Sequence, residues 1–367
     1  MNGRPDIVII GDLHLAATAD RLPDETADAA FSSFASWLAG ADGGTSSGRR
    51  VILLGDTFDL PLVAPAGAGD PRARWEALSA SVMDRILDAH PGFPDALRAL
   101  LTAGVAVDLV TGNHDAALPT PAVRERLLAR IGVGAAEPSI EPWIRYLPGV
   151  VYAEHGHQYH DLNAFPLALR PDPDPSSDAV PLAARREAGL PFARAAVRRL
   201  AGRGRFQGAR AAYRRDVLPA YAGQVGLPAA ALTAIDRLSD VSGLRIAQRL
   251  ARQALGIAPA GAVEGAGYLG PAVRHIDQAL RAAGIDVPVL AFGHTHRPAL
   301  TPFDREDGRT WYANAGSWAR VRPEALRQRL GPTRRPFIQI SVEPEGRPVP
   351  FLLAWDAVAG TAAPFLD

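Results

Sequence analysis

The chain has 367 residues, 47% of them hydrophobic, and a formal net charge of zero. That apolar content suffices for a large core, and the neutral balance gives no global pull toward nucleic acid or a membrane surface. There is no cysteine, which excludes disulfides, thiolate metal sites and a cysteine nucleophile; any metal must be held by His, Asp, Glu and Asn.

Residues 7–10 form the first predicted strand, an apolar β-branched run. No basic start with a long apolar stretch precedes it, so no signal peptide is expected and the default compartment is the cytoplasm. No window reaches the ~18 continuous apolar residues of a membrane span. A helix is expected over 24–38, with Phe31, Phe34 and Leu38 at spacings of three and four. Strands follow at 51–54, 105–110 and 150–153, with helices at 75–87, at 93–101 before Gly104, and at 122–130 behind the cap-and-first-turn pair Thr120-Pro121. Alternation of this kind indicates a layered α/β fold. From residue 165 to 270 the chain changes character. It opens with Arg170-Pro-Asp-Pro-Asp-Pro and continues as an Ala- and Arg-rich, almost strandless helical segment, with Leu232, Ile235, Leu238, Ile246 and Leu250 on one face. A strand at 287–292 returns to the α/β pattern. Runs at 310–313, 337–342 and 349–355 read as a β-meander.

Polar chemistry gathers where these strands end. Seven of the nine histidines fall in short clusters directly after predicted strands. Asp12 and His14 follow the first strand, Asp56 and Asp59 the second, and Asn113, His114 and Asp115 the third. His155, His157 and His160 follow the fourth, and His294 and His296 follow the strand at 287–292. Ligand sites of layered α/β sheets form at the carboxyl ends of strands, so these five ends are expected to converge. Glycine precedes the polar residue in four of them, at Gly11, Gly55, Gly112 and Gly293, where it lets the backbone turn sharply. A lone Asp after a strand is more often a turn residue, and a lone His more often structural; five such clusters together are neither.

The segments Gly-Asp-Leu-His (11–14), Gly-Asp-Thr-Phe-Asp (55–59), Gly-Asn-His-Asp (112–115), His155 and Gly-His-Thr-His (293–296) together resemble the ordered signature of calcineurin-like metallophosphoesterases. Asn314-Ala-Gly-Ser-Trp318 also resembles a segment that follows the last metal histidines in many members. The resemblance covers roughly residues 1–160 and 285–320 and leaves out the helical segment. It implies a four-layer α/β/β/α sandwich, built from residues 1–164 and 271–367, with a helical cap inserted at 165–270. It also implies two divalent metal ions, manganese first, with iron or zinc as alternatives. Asp12, His14 and His296 would hold one ion, Asn113, His155 and His294 the other, and Asp56 would bridge them. His157 offers itself for the same ligand position as His155; His155 is favoured as nearest the strand end, and His157 is left to touch substrate. The activity implied is hydrolysis of a phosphodiester, pyrophosphate or phosphomonoester bond by a hydroxide bridging two ions ~4 Å apart. By the same resemblance His114 stabilises the transition state or protonates the leaving oxygen. Asp115 would hydrogen-bond His114, and Asp59 would support the ligands from outside. His160, Asp161 and Asn163 are either such supports or a polar loop, and His90 and His275 are expected at the surface.

Between 188 and 215 lie eight arginines and no acidic residue, Arg194 and Arg198 among them, interleaved with Phe192, Phe206 and Tyr213. One reading is a basic lid that grips an anionic substrate or touches a phospholipid surface; the other is a solvated helical face in a chain whose only cation is Arg. The insertion's placement also resembles that of the lid in UDP-diacylglucosamine pyrophosphohydrolases, in placement alone. The expected partner is a phosphorylated small molecule or lipid-linked substrate. A nuclease of the same superfamily is the alternative, and the neutral charge argues against a stable nucleic-acid partner. A non-catalytic scaffold of the same fold would be expected to have lost ligands or His114, and none is lost here.

Overall fold

A computed structural model of the chain describes residues 7–17, 25–40, 48–132, 136–160, 162–177, 180–189, 206–239, 263, 265–305, 308–319, 333–342 and 346–365. The fold is α/β with two mixed sheets. The first has seven strands, in the order β12-β11-β10-β1-β2-β3-β4. Its parallel part is β1 (Ile7–Ile10), β2 (Arg50–Leu54), β3 (Ala106–Val110) and β4 (Ser139–Glu141). The crossovers carry α1 (Glu25–Ala39), α2 (Pro71–Ala89), α3 (Gly92–Thr102) and α4 (Pro121–Ile131). Antiparallel β10 (Arg334–Ser341), β11 (Val349–Asp356) and β12 (Thr361–Pro364) extend the other edge.

The second sheet runs β5-β6-β7-β9-β8. It contains β5 (Ile144–Leu147), β6 (Val151–Glu154), β7 (Val289–Phe292), β8 (Ala299–Arg305) and β9 (Gly308–Asn314), with β6, β7 and β9 mutually parallel. The expected meander is therefore divided. The 310–313 run belongs to β9, which pairs with β7, and only β10, β11 and β12 form a meander, in the other sheet. The periodicity of the sequence also left out β4, β5, β8 and β12, which are short or lie at sheet edges.

Alternation along the central strands sends side chains to two different cores. Val8, Ile10, Val51, Leu53, Val107 and Leu109 pack with Phe31, Phe34, Met83, Ile86, Leu97 and Leu127 of α1 to α4. Ile7, Ile9, Ile52, Leu54 and Val110 meet Val151, Ala153, Val289, Ala291 and Ala313 of the second sheet. Strands buried on both faces read as continuous apolar runs, which is why these were legible. The second sheet's other face, with Tyr152, Leu290, Phe292 and Tyr312, packs against helices. These are α6 (Phe206–Asp216), α7 (Leu218–Val225), α8 (Ala229–Leu238) and α9 (Gly270–Ala282), the short α5 (Leu182–Glu187) preceding them. Tyr213, Leu218, Tyr221, Leu232 and Ile235 share this core with Val273, Ile276 and Leu280 of α9. Residues on both sides of position 270 thus share one apolar core. Among the described residues no helix is long and apolar enough to cross a membrane.

Tyr221 fastens this helical layer to the edge strand β5. Its hydroxyl accepts from Ile144 N at 2.8 Å and donates to Ile144 O at 3.2 Å, answering two outward-facing edge groups at once. Tyr221→Phe leaves a buried N–H unanswered and is expected to cost about 1–3 kcal/mol, read as a lowered urea midpoint with unchanged slope.

Candidate metal centre

The five polar clusters meet at the carboxyl ends of β1, β2 and β3 in one sheet and β6 and β7 in the other. The backbone there is unusual. Among the described residues, the non-glycine positions with positive φ are Asp12, His14, Asp56, His294 and His296, at 50° to 64°. Each is a sequence-predicted ligand. Left-handed backbone at non-glycine residues persists where the surroundings impose it, and it concentrates at functional sites. Here it turns each side chain off its strand end toward the gap between the sheets.

Two groups of donors result. In the first, His296 Nε2 lies 3.1 Å from Asp12 Oδ1 and 3.2 Å from His14 Nε2. In the second, His155 Nε2 lies 3.1 Å from Asp56 Oδ2 and 3.2 Å from His294 Nδ1. His14 Nε2 is 3.8 Å from the same Asp56 Oδ2, so Asp56 stands between the groups. His155 donates Nδ1–H to Leu54 O at 2.8 Å, and His14 Nδ1 meets Asp59 Oδ1 at 2.8 Å. Both contacts place the proton on the outer nitrogen and turn the Nε2 lone pair inward. Buried Asn113 Oδ1 has no hydrogen-bond donor, and Asp12 Oδ1 has none of good geometry. Converging lone pairs and orphaned buried oxygens are what a divalent cation answers, so the residues fit the ions the sequence implies. The electrostatics agree. Burial acts to lower the His155 imidazole, but Asp56 and Asp12 reverse this and push it up to about 10, so the carboxylates favour positive charge at this point. His157 does not share the position. It lies tilted beside His155 with ring centroids 5.5 Å apart, its Nε2 engages the Gln158 amide, and burial together with His155 pushes it down to about 3.

Asp59 supports His14 as expected and also takes the contact with His114 that was expected of Asp115. Asp115 does not reach His114. Its oxygens accept from Gly112 N at 2.6 Å and Thr57 N at 2.8 Å, tying the loop after β3 to the loop after β2. Burial and neighbouring Asp56 push its carboxyl up to about 6. Asp59 takes the imidazole instead, its Oδ1 lying 3.1 Å from His114 Nδ1 as well as 2.8 Å from His14 Nδ1. Burial acts to raise Asp59, but the adjoining His114 and His14 imidazoles hold it well below the usual carboxylate range. The cause lies in the backbone. The isolated bridge Leu15–Phe58 prolongs the β1–β2 pairing, with Leu15 N donating to Thr57 O and Asp59 N to Leu15 O, both at 2.9 Å, and this carries Asp59 beneath His14. The adjacent position in sequence places Asp115 on the opposite side of its turn.

Of the remaining candidates, Asn163 touches His294 Nε2 at 3.2 Å. His160 and Tyr268 stand beside His294, with ring centroids 5.3 and 6.3 Å away. Tyr268 was not singled out in the sequence, where no local pattern marks it. Arg194, Arg198 and Asp161 lie outside the described residues. His90 is not at the surface. It is 1% exposed, with Nε2 3.1 Å from Ala16 O, and joins the end of α2 to the loop after β1. His275 is exposed as expected.

The 314–318 segment locks the centre from below. Asn314 Nδ2 donates to Gly293 O, and Trp318 N, Ala319 N and Ser317 Oγ all converge on Asp12 O. Trp318 itself is anchored edge-on against Phe34, with centroids 5.4 Å apart.

Glycine at two of the strand ends answers a need for space. A Cβ on Gly112 would stand 2.2 Å from Asp56 Oδ1 and 2.5 Å from Asp56 N, and one on Gly55 would stand 2.5 Å from the His155 ring, where φ is also +85°. Gly112→Ala is expected to displace Asp56 and to cost about 1–3 kcal/mol of stability. Elemental analysis of the folded variant should show lost divalent metal. No protein-family model and no curated protein matches the sequence.

Proposed function

We propose that the chain is a dinuclear metal-dependent phosphoric ester hydrolase with the fold and centre of the calcineurin-like metallophosphoesterases. The observation that carries this reading is the convergence of Asp12, His14, Asp56, His155, His294 and His296 from four strand ends, five of the six in left-handed backbone, with the buried, unanswered Asn113 Oδ1 on the fifth strand-end loop, whose next residue, His114, donates its N–H to Asp56. The succession of three cores, helices on sheet, sheet on sheet and sheet on helices, supports the four-layer α/β/β/α arrangement.

Asp12, His14 and His296 would hold one ion, Asn113, His155 and His294 the other, with Asp56 shared. Two such ions, manganese first among the candidates, supply Lewis-acid polarisation of a phosphoryl group and acidification of a water molecule. The chain's part is to hold this charge in place and to handle the proton. With two carboxylates, Asp12 and Asp56, among seven donors, the centre keeps a net positive charge toward an anionic ester. His14 and His155 are held in one tautomer by Asp59 and Leu54 O. His114, with its side chain 28% exposed and its Nδ1 turned to Asp59, is placed to give a proton to the leaving oxygen.

The test is an assay of stripped protein reloaded with manganese, on an aryl phosphomonoester and an aryl phosphodiester side by side. Turnover that appears only on reloading is expected. Preference for the diester directs the search to phosphodiesters and nucleotide-linked lipids, and preference for the monoester to phosphorylated small molecules. A protein that takes up no divalent ion overturns the reading.

A further inference from the structure

We infer that Asn163 is a positioning residue that decides whether His294 can act as a metal ligand; this rests on the dinuclear reading above. The outer nitrogens of three predicted ring ligands each meet a protein group, and the groups differ. His14 Nδ1 meets the Asp59 carboxylate at 2.8 Å, and His155 Nδ1 meets the Leu54 carbonyl at 2.8 Å. Both partners only accept, so both rings are fixed with the proton outside and the lone pair inside. His294 is held differently. Its Nδ1 faces inward, 3.2 Å from His155 Nε2, and its outer Nε2 lies 3.2 Å from Asn163 Nδ2, so the NH2 of the amide faces the ring here and ligation by Nδ1 requires the amide to turn. An amide offers either NH2 or oxygen, and the two give opposite tautomers. With NH2 toward the ring, Nε2 accepts and the proton sits on Nδ1, pointing into the centre. With oxygen toward the ring, Nε2–H donates and the Nδ1 lone pair faces inward. The ligating form of His294 therefore requires the oxygen of Asn163.

His294 has little other freedom. Its φ is 64°, and its backbone N donates to Asp12 Oδ2 at 3.2 Å, so the ring reaches the centre from a fixed point. Turning the Asn163 amide is the adjustment that changes the donor without moving the backbone. Asn163 itself sits on a turn, its N–H donating to His160 O at 3.2 Å, which sets the amide against the ring.

Three proteins separate the alternatives: wild type, Asn163→Leu and Asn163→Asp. Leucine keeps the volume without an acceptor, and aspartate can only accept. Zinc titration against a competing chelator should give two ions in wild type. In Asn163→Leu one of the two is expected to bind about 10–100-fold more weakly, the range typical for loss of a group that orients a ligand. Asn163→Asp should match wild type or bind more tightly. Nitrogen NMR of the His294 ring in metal-free protein should show the proton on Nε2 in Asn163→Asp, and a different tautomer balance in Asn163→Leu. Equal zinc affinity in Asn163→Leu and wild type, or equal loss in both variants, overturns the role of Asn163. Uptake of a single ion by wild type overturns the dinuclear reading instead. The metal-free tautomers then still decide Asn163: the same balance in all three proteins refutes its role, and the expected order supports it.

Discussion

Asp56→Asn is expected to leave a folded protein that has lost both tight metal binding and turnover. Asp56 is 1% exposed, and each of its oxygens has a separate task. Oδ2 lies 3.1 Å from His155 Nε2 and 3.8 Å from His14 Nε2, one proposed ligand from each donor group. Oδ1 accepts from His114 N at 2.8 Å and so holds the third strand-end loop. Burial works to raise this carboxyl, yet the His155, His114 and His14 imidazoles hold it well below its ordinary range, so it stands ionised. Asparagine preserves the shape and the bond from His114 N but removes the charge between the two donor groups. Breaking a buried charge pair costs about 3–5 kcal/mol, which is roughly a 10²–10⁴-fold loss of ion affinity. The measurements are metal content after gel filtration, circular dichroism and turnover. Two retained ions with unchanged turnover would show that Asp56 is not shared. If the proposed centre binds manganese, thermal stability of the wild type is expected to rise with free manganese, since a ligand that binds only the folded state adds RT ln(1 + [L]/Kd).

The parts of this centre that were legible in the sequence are those dictated by strand ends. β1, β2, β3, β6 and β7 are short apolar runs because both of their faces are buried, and the residue that leaves each end has few directions available. The edge strands were harder to read: β4 is half-buried along its three residues, β12 is mostly exposed, and the alternation of β5 spans only four residues. What the resemblance implied and the geometry reversed was the pairing of His114 with Asp115. Consecutive residues in a tight turn point apart, while the Leu15–Phe58 bridge brings Asp59 across from another strand. Hydrophobic patterning could not place His90, because a polar residue that satisfies a loop carbonyl inside the protein leaves no mark on the apolar period. The packing of the inserted helical segment was illegible for a related reason. Its apolar face was visible, but nothing local showed that the face covers β5, β6 and β7 together with α9.

His114→Ala is expected to lower kcat/KM by about 10²–10⁴-fold while both ions stay in place. The ring stands outside the seven-donor set and beside it, with its centroid 4.9 Å from that of His14. Its Nδ1 faces Asp59 at 3.1 Å, which leaves Nε2 to face outward, where 28% of the side chain is open to solvent. A group so placed can hold a proton for a leaving oxygen, and Asp59, itself held ionised, keeps that proton available by stabilising the charged imidazole. His14, His114 and Asp59 also form a compact trio that could itself hold a cation, which gives the experiment a second edge. If His114→Ala loses one equivalent of metal, the ring is a ligand and the proton role falls. If metal is retained and turnover collapses, the ring acts on the substrate. Aryl esters with leaving groups of graded acidity sharpen the reading, because a lost proton donor penalises the poorest leaving group most. An equal loss across the series would instead mean that His114 steadies the phosphoryl oxygens, and unchanged turnover throughout would remove it from the chemistry.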